Sequence, residues 1–214
     1  MMKQTNFKLS HLGALVALSV VTATANAETL TVPATVTVDN TINFALTGTF
    51  DVGTIRATAD PTSDECVGIV IPANPATATS AYVPGGVGQP CNTGAGDAEI
   101  QIVGGSITRP QFDITGLAAF TTLTVTVPTT ATSMTLNPAP AGAPELQLIN
   151  HSVYQSSGTA GNVTLTTGSG SIVADASGNI TFLVGATIIT DPGTPTLAYE
   201  NTGYAGSFDV TVAY

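Results

Sequence analysis

Short stretches in which apolar and polar residues alternate recur along the chain, and this period of two limits the possible folds more than any other feature. Alternation is clear in residues 29–38, near the start, and in residues 203–214, at the other end. A period of two predicts half-buried β-strands. No helical periodicity longer than a few residues occurs after residue 27. The sequence therefore predicts an all-β protein.

Turn residues separate many such stretches, and no helical segments come between them, which is typical of a sandwich or barrel. We favour an immunoglobulin-like antiparallel β-sandwich. Threonine supplies most of the polar alternation and suits the outward face of a strand. Strands are expected near residues 42–46, 48–57, 67–71, 99–103, 111–114, 123–127, 163–166, 171–174, 180–184 and 187–189, with residues 175–179 as a hairpin loop and residues 134–146 as a proline-rich turn.

The first 27 residues have the organisation of a secretory signal peptide. Lys3 and Lys8 precede an apolar run at residues 12–23, and Ala25-Asn26-Ala27 matches a cleavage site. The alternative is a short membrane anchor, but about a dozen apolar residues are too few to span a bilayer. We expect a mature chain of residues 28–214, one domain without membrane insertion, in the periplasm, at the cell surface or outside the cell.

The charge balance argues against two classes of partner. After signal cleavage the chain keeps two basic side chains, Arg56 and Arg109, against fourteen acids, a formal charge of −12. A surface of this sign repels nucleic acid and anionic lipid. Neither partner is expected.

Cys66 and Cys91 are the only cysteines. An even pair in an exported protein predicts a disulfide. The bond would lie within a long proline-rich and glycine-rich excursion at about residues 58–96. Loops of this length are often functional.

Few residue types suited to catalysis are present, so we predict that the protein is not an enzyme and needs no cofactor. His151 is the one mature histidine and is expected in a turn or at the surface; no G-x-S-x-G or C-x-x-C motif occurs. A calcium site remains a weaker hypothesis, because acids cluster beside both cysteines; the alternative is that they keep a loop soluble. The candidate ligands are Asp60, Asp64, Glu65, Asp97 and Glu99.

The order of several motifs resembles the bacterial secreted family known as domain of unknown function 4402. They are FDVGTI (residues 50–55), QFDITG (111–116), TLTVTVP (122–128), DASGNITFLVGATI (175–188) and the ending GYAGSFDVTVAY (203–214). In the closing strand, Phe208, Val210, Val212 and Tyr214 would face the core. The resemblance implies a β-sandwich exported by a Gram-negative bacterium, and it supplies no catalytic residues. The excursion at residues 58–96 departs from the family.

A looser resemblance links the chain to pilus and spore-coat-like subunits that assemble by strand donation. It implies self-association into a filament or biofilm matrix, with a periplasmic chaperone or secretion partner. The donor would be residues 29–38, whose apolar side chains are Leu30, Val32, Val36 and Val38. The alternative is a monomeric adhesion or ligand-binding module that uses the excursion. Pairing of the first strand within its own domain also remains open.

Overall fold

The computed structural model describes residues 33, 35, 41–62, 65–82, 91 and 96–214. The predicted signal peptide, the donor side chains of Leu30, Val32, Val36 and Val38, and Asp64 lie outside these residues. The described residues form antiparallel sheets without a helix, so the all-β prediction is confirmed. The strands are β1 Asn43–Thr47, β2 Thr54–Thr58, β3 Gly68–Ile71, β4 Ser80–Tyr82, β5 Glu99–Gly104, β6 Gln111–Thr115, β7 Thr122–Thr126, β8 Thr132–Met134, β9 Leu146–Gln155, β10 Gly161–Val163, β11 Ser169–Val173, β12 Ile180–Ile189 and β13 Thr211–Ala213.

Two ten-residue strands, β9 and β12, form the centre of a large eight-stranded sheet. They pair from Phe182↔Gln155 to Ile189↔Gln147. The outer edge of β12 pairs with β6 and then β3, while the outer edge of β9 pairs with β10 and β8. β1 and β4 complete the sheet beyond β6 and β3. Both central strands, β9 and β12, thus run through both halves of the sheet and pair with strands in each half.

Smaller sheets cover one face of the large sheet. The sheet β11-β7-β13 packs on one half and the pair β2-β5 on the other. Alternate side chains of β12 point into the two resulting cores: Ile180, Phe182 and Val184 into the first, Ala186 and Ile188 into the second. Because every second side chain of a strand lies on the same face, one ten-residue strand can supply both cores, which lie side by side on that face.

Buried side chains join the layers at the first core. The amide of Gln155 in β9 donates to the Val173 carbonyl of β11 at 2.7 Å and accepts from the Val173 N–H at 3.0 Å. Within the same core, the rings of Phe112 and Phe182 stack with centroids 5.0 Å apart. Phe44 in β1 extends the stack, 5.5 Å from Phe112.

Cys66 and Cys91 form the predicted disulfide, with Cα atoms 5.1 Å apart. Both are buried against Ile149 and Ile189, so the bond forms part of a third apolar cluster. The excursion differs from the expected loop with one short strand, because it contributes both β3 and β4. β3 pairs directly with the central strand β12, so part of this segment belongs to the sheet itself.

Several local predictions were wrong, and one of them is the strand expected at residues 163–166, since β10 spans Gly161–Val163 instead. β9 was missed: Asn150 has a φ of 49°, and pairing with β12 shifts register here, so the alternation changes phase within the strand. Residues 175–179 are a loop but not a hairpin, because β11 and β12 lie in different sheets. The last strand spans only Thr211–Ala213, preceded by an isolated bridge between Thr135 and Ala205.

No helix among the described residues is long and apolar enough to cross a membrane.

Candidate functional site

The acids beside the disulfide stabilise the loop. Asp60 is only 2% exposed. Its Oδ1 accepts hydrogen bonds from the N–H and hydroxyl of Thr62, both at 2.8 Å, and its Oδ2 accepts from the Asp97 N–H at 3.1 Å. The Asp60 and Glu65 carboxylates also approach Gly96, whose φ is +51°, so a Cβ there would clash with both.

The calcium hypothesis gains no support from these contacts. Glu99 lies in β5, where it pairs with Thr58. Across the described part of the chain, no group of three or more histidine, cysteine or acidic side chains is arranged to hold a metal ion.

His151 is buried, not at the surface or in a turn as expected. The residue is 8% exposed, and the centroid of its ring lies 4.8 Å from that of Phe208, which touches both main cores. Neither ring nitrogen has a hydrogen-bond partner among the described residues. Burial is the main cause of the lowered pKa of His151, and the backbone at Pro128 acts in the opposite direction. Burial therefore favours the neutral form of this ring, which packs against Phe208.

Two strands offer unpaired edges flanked by apolar side chains. β1 pairs only with β6 among the described residues, and Phe44 and Leu46 on its core-side face are 38% and 61% exposed. β13 pairs only with β7 in the same part of the chain. Phe208, Val210 and Val212 pack against the first core as predicted, but Tyr214 is 64% exposed instead of buried.

A groove follows the outer edge of β2. One wall is formed by residues 49–61 and the other by residues 195–204, which run in the opposite direction. Adjoining cavities of about 660, 280 and 440 Å³ lie along it, in that order from residue 49. Leu146 and Ile188 of the second core contribute to its floor, together with Met134. We call this feature the β2 groove.

Backbone groups on both walls of the β2 groove lack sheet partners. Among the described strands, β2 pairs only with β5. In the opposite wall, Glu200 donates its N–H to the hydroxyl of Tyr204, and the Thr202 N–H bonds to the Glu200 carbonyl. The wall therefore forms local turns instead of a strand, and the groove stays open.

Tyr199 anchors the second wall. Its hydroxyl donates to the Glu145 carbonyl and accepts from the Asp191 N–H, both at 2.8 Å. Burial is the main cause of the raised pKa of Tyr199. A satisfied hydroxyl on a largely buried ring fixes this wall relative to the start of β9.

Comparison with known proteins gives no match, whether to a family model, a curated protein or a solved structure.

Proposed function

We propose that the chain is an exported, non-enzymatic structural protein of the cell surface or extracellular matrix, whose copies associate by β-strand addition. This proposal includes the signal peptide, an immunoglobulin-like arrangement of the sheets, and kinship with the 4402 family and strand-donating pilus subunits. The observation that carries it has two parts: among the described strands, β1, β2 and β13 each pair with only one partner, and a segment of alternating apolar and polar residues, 29–38, precedes them in the sequence. Main-chain hydrogen bonds at such edges supply affinity, and alternate side chains supply specificity.

The distribution of apolar surface also supports self-association. β1 exposes all five of its residues although it belongs to the large sheet. Long exposed edges promote unwanted pairing, and proteins usually protect them with charged residues or proline. β1 has the sequence NFALT and carries neither.

The test uses purified mature protein, residues 28–214, and its size by chromatography with light scattering. We expect oligomers or filaments that disappear when residues 28–39 are removed. The matched pair of variants is Val32→Asp with Val36→Asp, against Thr31→Asp with Thr35→Asp, which adds the same charge to the opposite face. Only the valine variant should abolish assembly. Unchanged assembly after the deletion would show that this segment donates no strand.

A second candidate function is ligand binding by a monomer, favoured by the 440 Å³ cavity beside the excursion. It is lined by Ala59, Pro61 and Asp97 on one side and by residues 195–199 on the other. Removing residues 58–96 would delete β3, so a point change is the better probe. If this candidate is right, Leu197→Asp abolishes binding in a glycan or surface-binding assay while the size of the protein stays the same.

A further inference from the structure

We propose that His151 and Phe208 form an acid-sensitive latch, in which protonation of the His151 ring releases residues 205–213 from the rest of the fold. We call these residues the closing segment. The inference concerns a single copy of the chain and does not depend on strand addition between copies. It gives a role to a buried ionisable side chain that the proposed function does not use.

The position of His151 makes a charge on its ring costly. Along β9, His151 stands between Leu148, in the second core, and Val153, in the first. The residue is 8% exposed, and its two ring nitrogens have no hydrogen-bond partner among the described residues. A protonated ring would bring a charge and two unpaired N–H donors into this apolar setting.

The elements around His151 offer no charge that compensates. Among the described strands, β7, β8, β10 and β12 contain no ionisable residue, and neither do residues 127–131. Tyr154 of β9 lies on the opposite face of the strand. In and beside the closing segment, Asp209 is exposed, and the Tyr204 hydroxyl accepts from the Glu200 N–H. Asp51, which follows Phe50, is also exposed.

The closing segment is held less firmly than the other elements around His151. Ala205 forms an isolated bridge with Thr135, and β13 pairs only with β7 among the described strands. Between these two attachments, residues 206–210 belong to no strand, and Phe208 and Val210 hold them by packing against the first core. In contrast, β9 and β12 lie in the middle of the large sheet. The closing segment is therefore the cover that opens most easily.

Phe208 connects the His151 ring to the closing segment. The centroid of its ring lies 4.8 Å from that of His151 and 6.4 Å from that of Phe50. A charged ring is attracted to an aromatic face, but this contact does not replace the hydrogen bonds that its two N–H groups lose. Water can reach the protonated ring when Phe208 moves away, and the segment that carries Phe208 moves with it.

The direction of the pH effect follows from the two forms of the ring. Burial lowers the pKa of His151 in the closed form, and the backbone at Pro128 acts in the opposite direction. In the open form the ring meets water, so its pKa returns toward the ordinary value of 6.5. Above pH 6.5 the ring is neutral in both forms. Below it, the ratio of open to closed form rises by up to about tenfold per pH unit, until the closed form is protonated too.

The first experiment follows opening of the closing segment in the predicted mature chain. Amide hydrogen exchange is measured between pH 7.5 and 5.5 and corrected for its intrinsic dependence on pH. The N–H groups of Thr135 and Ala205 report directly, because each donates to the carbonyl of the other, at 2.9 and 3.0 Å. We expect their protection, and that of β13, to fall by up to about tenfold from pH 6.5 to 5.5. β6 and β12 should lose less. Constant protection of the closing segment, or an equal loss in β6 and β12, would overturn the proposal.

The matched variant is His151→Leu, which keeps an apolar side chain and removes the titrating group. Protection of the closing segment should then stay constant over the same pH range. A pH dependence that persists in this variant would assign the effect to another group and overturn the proposal. If His151→Leu does not fold, the unaltered chain decides, because the loss of protection must follow the titration of the His151 ring.

The second experiment measures that titration by NMR, which is direct because His151 is the one histidine of the predicted mature chain. We expect a midpoint below 6.5 that moves up toward 6.5 in Phe208→Ala, since this change uncovers the ring. Phe120→Ala is the control, because Phe120 is 69% exposed, and it should leave the midpoint unchanged. A midpoint that Phe208→Ala does not move would show that Phe208 does not close over the ring, and the latch would be wrong.

Discussion

Two phenylalanines illustrate how strongly the burial of a residue decides its contribution to the free energy of unfolding. Phe182 is fully buried and stacked on Phe112, whereas Phe120 is 69% exposed in the connection between β6 and β7. We expect Phe182→Ala to lower the free energy of unfolding by about 3–5 kcal/mol, because it removes apolar contacts and leaves a cavity. Phe120→Ala should change it by about 0.5 kcal/mol or less. Urea denaturation of both variants checks the contrast; equal losses would contradict the assigned core.

His151 should make stability depend on pH in a narrow range. Burial lowers the pKa of His151 in the folded protein below the ordinary histidine value of 6.5. Above pH 6.5 the ring is neutral in both states. As the pH falls, the unfolded chain binds the proton first, so stability declines from about pH 6.5 through the lower folded pKa, by up to about 1.4 kcal/mol per pH unit.

The measurement is urea denaturation of the mature chain between pH 7 and 5.5. Since His151 is the one histidine of the predicted mature chain, His151→Leu should remove most of the dependence. A similar slope in this variant would assign the effect to other groups.

At the scale of elements, the alternating sequence predicted most of the short strands but not their partners. β6 and β7 lie close to the expected limits because their alternation is uninterrupted. β9 was missed because the irregularity at Asn150 breaks the alternation, although the segment is among the longest strands. Local pattern also gave no indication that β3 inserts beside β12, since this pairing joins residues more than a hundred positions apart.

The candidate site was predictable only in part. The alternation of residues 29–38 and the disulfide could be read from the sequence. The β2 groove could not, because it depends on the local turns of residues 200–204 and on Tyr199, whose hydroxyl bonds to the distant Glu145 carbonyl. Such long-range hydrogen bonds leave no periodic signal along the chain.

The disulfide supports the attachment of β3 to the large sheet. Cys66 is separated from Cys91 by 25 positions and precedes β3 closely. Replacing both cysteines by serine should cost roughly 3 kcal/mol by the loop-entropy model. Amide hydrogen exchange should rise first in β3 and β4, while β7 and β11 stay protected as an internal control. An equal rise in amide exchange in β3–β4 and in β7 and β11 would mean that the disulfide stabilises the whole fold.

For the whole molecule, charge should oppose assembly. Two copies that each carry −12 after the predicted signal cleavage would repel one another. Raising the salt concentration from about 0.01 to 0.1 M shortens the Debye length from about 30 to 10 Å. We therefore expect assembly of the mature protein to strengthen with salt, as measured by light scattering. Weakening would indicate an interface held by opposite charges.

The strands shared by both cores also bear on resistance to proteases. β9 and β12 run through the two halves of the large sheet, so neither half can open while keeping its own complete set of strands. Proteases cut chains that open locally, and their rate follows the population of such states. Within the described part of the chain, we therefore expect few states in which one half of the large sheet is open to a protease while the other half stays folded.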